Sequence, residues 1–132
     1  MKFKKFDKNK RGHFDYWFNH VKAFNYVAWK LGVWKLKYLF HDFEKPWLML
    51  FFLGDYSKVQ KWHRTHNAHH LEYKGEHDWE AMVLDWECSM LTKLASPRTA
   101  IQECNKKFDE GRMDYDDYCQ FIATAHKLGL TK

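Results

Sequence analysis

Residues 78–94 read DWEAMVLDWECSMLTKL. Met82, Val83, Trp86, Met90, Leu91 and Leu94 recur three and four positions apart, a spacing that gathers apolar side chains on one side of a helix. Asp78 stands where an N-cap belongs. Inside the apolar run sits Asp85. A carboxylate there is costly to bury unless it is paired, hydrogen-bonded or bound to a cation. Metal ligation and a buried contact to a neighbouring helix both meet that need. The same helical spacing runs through the rest of the chain. With 6 Gly and 2 Pro in 132 residues and no sustained two-residue alternation, the fold class is all-α.

Working outward, the pattern predicts a helix over residues 16–30, with Phe18, Val21, Phe24 and Ala28 on its apolar side, ended by Gly32. A second helix is expected over residues 33–41. Pro46 restarts the chain, since proline suits a first helical turn. Residues 46–52 are apolar almost all round and are expected at the centre of the core. Ser57 is expected to cap a helix running toward His70. Residues 73–77 read as a loop. Ser96-Pro97 marks a helix start, Asp114 caps a last helix to about residue 127, and Gly129 closes it. The expectation is a single-domain bundle of about six to seven helices over residues 12–132, preceded by a basic tail over residues 1–11.

The net charge of +5 belongs to that tail. Lys2, Lys4, Lys5, Lys8, Lys10 and Arg11 stand there against Asp7 alone, and the remaining residues balance. A nucleic-acid binder built on a basic groove would carry its cations on the body, so nucleic acid is not the expected partner. The tail reads as a solubilising or docking segment apart from the site. Apolar residues make up 45% of the chain, enough to bury a core. The mean hydropathy of −0.71 and the shortness of the longest apolar run, residues 47–53, speak against a membrane span, which takes about 20 apolar residues. Three cysteines without CxxC spacing and no secretory leader place the chain in a reducing cytoplasm. No glycine-rich phosphate loop is present, which disfavours a P-loop enzyme.

Chemistry concentrates in the nine histidines, four of which fall in the stretch WHRTHNAHHLEY: His63, His66, His69 and His70. Imidazole is a common metal ligand and titrates near neutrality. On a continuous helix His63 would share a face with Asn67 and His70, and His66 with His69 and His70. A solvated, histidine-rich helix is the plain alternative. His41-Asp42 follows an apolar segment, which would place a neutral nitrogen and a carboxylate together at the bottom of a pocket. The second HD pair, His77-Asp78, sits in a polar stretch and reads as loop and cap. His20 lies beside Val21 and Phe24 and reads equally well as a ligand or a satisfied boundary histidine.

The order His20, then His41-Asp42, then His63/His69/His70, then Asp85 resembles the HD-domain superfamily of metal-dependent phosphohydrolases, whose pattern is H…HD…D. The local motifs are closer still to a small family of bacterial and phage proteins carrying HDxSK, HxxxNxHH and DW. Here those read residues 41–45 (HDFEK), 63–70 (HRTHNAHH) and 85–86 (DW), with Glu44 where the family usually has Ser. The resemblance covers about residues 16–95. It implies a helical HD fold and one or two divalent ions (Mn, Fe, Co, Ni or Zn). His20, His41, Asp42 and Asp85 would form the core set, and His63, His69 and His70 a second set or a phosphate contact. It implies hydrolysis of a nucleotide or other small phosphate ester through a metal-activated water. His63, Asn67 and His70 would then take part in catalysis, Lys45 would neutralise phosphate charge, and Glu44 would orient a water or act as base. Arg64 is a further cation, though a surface arginine is its simpler reading. Two other functions use the same residues: a di-iron oxygenase, and a helical metal-binding protein without turnover. Oligomers are compatible with all three.

Overall fold

The computed structural model describes residues 3–7, 14–94 and 98–131. Among them are six α-helices and one 3-10 helix: α1 (Phe14–Lys30), the 3-10 helix (Leu36–Phe40), α2 (Lys45–Phe51), α3 (Tyr56–His66), α4 (Trp79–Thr92), α5 (Ala100–Asp109) and α6 (Tyr115–Lys127). The all-α class holds, and the described residues form no named strand. The expected helix start at Ser96-Pro97 lies outside the described residues. The next described helix is capped by Thr99, which accepts from the Gln102 N–H while the Gln102 side chain accepts from the Thr99 N–H.

α4 is the axis of the fold. Ala81, Met82, Val83, Leu84, Asp85, Cys88 and Thr92 are all buried, so it is covered on nearly every side. One side packs Ala81, Leu84 and Cys88 against Ala23, Phe24, Val27 and Ala28 of α1 and Tyr38 of the 3-10 helix. The other packs Met82 and Val83 against Ala100, Ile101 and Cys104 of α5 and Phe121 and Ala125 of α6. The anticipated caps at Asp78 and Asp114 are in place: each carboxylate accepts from the N–H three residues on. Gly111 and Gly129 take left-handed backbone where α5 and α6 end.

Four expectations need correction. Within residues 33–41 only Leu36–Phe40 is helical, as a 3-10 and not an α-helix, and residues 41–44 form a turn. α3 is capped by Asp55, whose carboxylate accepts from the Lys58 N–H, so Ser57 falls inside the first turn. α3 also ends at His66, four residues short of His70. The apolar segment over residues 46–52 is not in the core. In α2 only Lys45 is buried, while Trp47, Leu50 and Phe51 face outward.

Part of the basic tail is also built into the body. The Phe6 N–H donates to Thr92 O (2.8 Å) and the Leu94 N–H donates to Phe6 O (3.1 Å), one bridge beyond the end of α4. Phe6 is buried with its ring edge-on to Tyr16, and the Asn19 amide donates to Lys4 O. Residues 8–11 lie outside the described residues.

Asp78 gives a direct test of the α4 start. Its carboxylate accepts from the Ala81 N–H (3.1 Å) and from Lys37 Nζ (2.9 Å). Partial burial opposes its ionisation, but those two donors hold its pKa below the usual carboxylate range. A folded pKa below the unfolded value of about 3.9 means stability that is present above about pH 4 and lost as pH falls further. Asp78→Ala is expected to cost about 1 kcal/mol at neutral pH, read from urea unfolding, and the gap to wild type should close in acid.

Candidate metal centre

Four elements deliver the buried polar groups. α1 supplies His20, the turn after the 3-10 helix supplies His41, Asp42 and Glu44, α3 and the turn after it supply His63, His69 and His70, and α4 supplies Asp85. His41 is held by its ring stack on Phe24, with centroids 3.7 Å apart and planes 10° apart. Asp42 adopts left-handed backbone at φ 57°, which only a few residue types tolerate. That kink lets two consecutive side chains turn inward together. It also presents Asp42 O to the Trp17 indole N–H at 2.7 Å.

The first set closes around one point. His20 Nε2 lies 2.8 Å from Asp85 Oδ1 and 3.2 Å from His41 Nε2, and His41 Nε2 lies 3.0 Å from the same Asp85 oxygen. Asp42 Oδ2 stands 3.6 and 3.4 Å from those two nitrogens. The second set is His63, His69 and His70. Its nitrogens on His63 and His69 sit 2.9 and 3.1 Å from the other Asp42 oxygen, Oδ1. Within each set the ligand atoms all lie within 4.8 Å of one another. Asp42 thus faces both sets, one oxygen to each.

Glu44 and Asn67 form a layer behind His63. Glu44 Oε1 accepts from His63 Nδ1 and from the Asn67 amide (2.9 Å), and Asn67 also donates to His63 O (2.7 Å). Donation from Nδ1 points the Nε2 lone pair at Asp42, the tautomer that a carboxylate behind a ligating histidine enforces. His63 Nε2 lies 2.9 Å from Asp42 Oδ1, and His70 Nε2 is buried without a hydrogen-bond partner. A buried imidazole nitrogen with no partner, beside a second that meets a carboxylate, is what a cation between them would explain.

The electrostatics fit that reading. Burial opposes charge on Asp42, but His41, Lys45 and His63 hold its carboxyl well below the ordinary range. Burial likewise opposes Asp85, and hydrogen bonds from His20 and His41 hold it down. Burial lowers His41 and takes His70 down to about 2, so the His70 imidazole is neutral and free to ligate. Burial would lower His63 too, but Asp42 and Glu44 raise it. The donor set of imidazole and carboxylate suits Mn, Fe, Co, Ni or Zn.

The expected face-sharing of His63 with His70 does not arise from helical spacing. The backbone of Asn67 is extended, and a turn with His70 N–H donating to Asn67 O (3.1 Å) swings His69 and His70 back toward His63. His66 is left outside, stacked on Trp62 at 4.0 Å. His77 stays out of both sets, and Asp78 is the cap anticipated for it. Cys88 is buried as expected, with Sγ 3.7 Å from His20 Nδ1. Lys45 is buried with Nζ 3.4 Å from Asp42 Oδ2. A cavity of ≈170 Å³ opens from the cluster and is lined by His20, Asp42, His70 and Asp85 together with Lys45, Arg64 and Lys93. Arg64 is exposed, yet its side chain reaches this wall. Lys93 carries no motif and was invisible to pattern reading.

Among known proteins the chain matches no family model, no curated protein and no solved structure.

Two predictions test the cluster. After loading and dialysis, elemental analysis should find up to two divalent ions per chain. Asp85→Ala and His70→Ala should each lose one, whereas Asp42→Ala should lose both. Equal retention in all three would remove the two-set arrangement. Glu44→Gln, which keeps the shape but loses the charge behind His63, should weaken metal binding about 10- to 100-fold, measured by competition with a chromogenic chelator.

Proposed function

We propose that the chain is a metal-dependent phosphohydrolase acting on small phosphate esters. The observation that carries this reading is the mixed lining of the cavity: His20, Asp42, His70 and Asp85 of the two candidate ligand sets together with Lys45, Arg64 and Lys93. A lining with three basic side chains beside two carboxylates favours an anionic ligand. Its volume of ≈170 Å³ is below the roughly 300–1,000 Å³ of sites that enclose drug-sized ligands. It therefore suits a phosphoryl group with a small alcohol portion, and a nucleotide would leave its base outside.

A divalent ion held by these residues would supply an activated water and a polarised phosphoryl oxygen. The chain's own contributions can be assigned around that. Lys45 is fixed by Asp42 and stays charged, so it can meet a phosphoryl oxygen without rearranging. Arg64 and Lys93 would receive the anion at the wall. His70 is neutral and unpartnered, which fits ligation better than giving a proton to a leaving group. Glu44 is engaged with His63 and Asn67, which makes it a positioning residue and not a free base. The HD-type ligand order supports the same chemistry by resemblance.

The test is phosphate release by metal-loaded protein across small phosphate monoesters and nucleoside monophosphates. Wild type should turn over a small ester, and Asp42→Ala should lose the activity by about a thousandfold or more. Metal-loaded protein that releases no phosphate from any of them, or an Asp42→Ala variant as active as wild type, would overturn the assignment.

A further inference from the structure

The largest feature outside the site is the uncovered apolar surface of residues 36–53. Leu36, Leu39, Phe40, Phe43, Trp47, Leu50, Phe51 and Leu53 are all more than half exposed, Leu53 at 94%. They occupy the 3-10 helix, the turn after it, α2 and the end of α2. Phe14, also exposed, joins from α1: its ring lies 5.0 Å from that of Trp17, whose indole donates to Asp42 O. A fully exposed large apolar side chain presents about 150–250 Å², so the eight residues together expose on the order of 1,000 Å² of side-chain surface. The largest apolar patch on an ordinary monomer is about 300–600 Å². Each partner of a standard stable interface contributes about 800 Å².

We propose that this face is the contact between two copies of the chain, paired about a two-fold axis. The area is what a stable dimer needs, and the charge pattern selects the occupant. In a two-fold contact the same patch meets itself, so a charge near the axis would face its like. Residues 46–54, PWLMLFFLG, contain no ionisable side chain. Lys45 at the start of α2 is buried against Asp42. A face built for acidic lipid would ring its apolar residues with available cations. Among the described residues, the neighbouring Lys35 and Lys37 pair with Glu80 and Asp78 at 2.9 Å each, and Lys58 lies 4.0 Å from Asp55. A protein partner of opposite charge would likewise find nothing in the patch to recognise. The proposal does not depend on the metal or on phosphohydrolase activity.

Sedimentation of the full chain between about 1 and 100 μM reads the result directly. Wild type should run at twice the 16.2 kDa chain mass. Leu50→Glu/Phe51→Glu, and separately Leu53→Glu, should run as monomers with unchanged helical circular dichroism. Because these side chains are exposed, neither variant removes core packing, and if one fails to fold the other and the wild-type mass still decide. A wild type that stays at 16.2 kDa throughout overturns the proposal. So does a dimer that both variants preserve. Monomeric wild type that co-sediments with phosphatidylcholine–phosphatidylserine vesicles would assign the face to lipid instead.

Discussion

The Asp42 carboxylate is the constraint around which the rest is arranged. It is buried, it stays ionised, and its two oxygens face different groups of imidazoles. Removing such a charge from water costs several kcal/mol even after relaxation. That cost is met only if positive charge or hydrogen-bond donors surround it on every side. His20 and His41 approach one oxygen with Lys45, and His63 and His69 approach the other. Satisfying it therefore requires α1, the turn after the 3-10 helix, α3 and the turn beyond α3 to meet at one point. Asp85 adds the same demand from α4. The left-handed backbone at Asp42, the Trp17 indole bond and the Phe24 stack on His41 are the local means by which the chain complies.

Much of this could be read from the residues because the chemistry is local. His41-Asp42 and the closely spaced His63, His69 and His70 are short patterns whose residue types are costly to bury without a shared purpose. Asp85 was marked by its apolar surroundings, and Asp78 and Asp114 by their place before apolar helical runs. What could not be read was geometry that depends on where a helix stops. Helical spacing pairs His63 with His70, but the structure ends α3 at His66 and uses a turn. The resemblance implied that Glu44 orients a water or acts as base; only its bonds to His63 and Asn67 show that it is engaged. Lys93 stands in no motif, and the packing of α4 against the rest alone brings it to the cavity.

The misplacement of residues 46–52 has a different cause. Hydropathy reports that a side chain gains by leaving water; it does not report which surface removes it. A run that is apolar all round is usually a core helix, yet α1, α4, α5 and α6 already fill the core around α4. α2 is only seven residues long, and its one inward position is spent on Lys45. Trp47, Leu50 and Phe51 are then left exposed among the described residues.

The same logic revises the basic segment. Counting charge separates residues 1–11 from the body, because charge counting ignores the two phenylalanines spaced between the lysines. Phe6 packs against Tyr16, Tyr16 stacks on His20 at 5.8 Å, and His20 contacts Asp85. The Phe6 backbone meanwhile ties to Thr92 and Leu94, just beyond α4. Residues 3–7 thus clasp the two helices that carry His20 and Asp85 and support the ring of the first ligand from behind. A segment that reads as a solvated appendage is, over its described part, a brace for the first ligand set, and its phenylalanines do the holding.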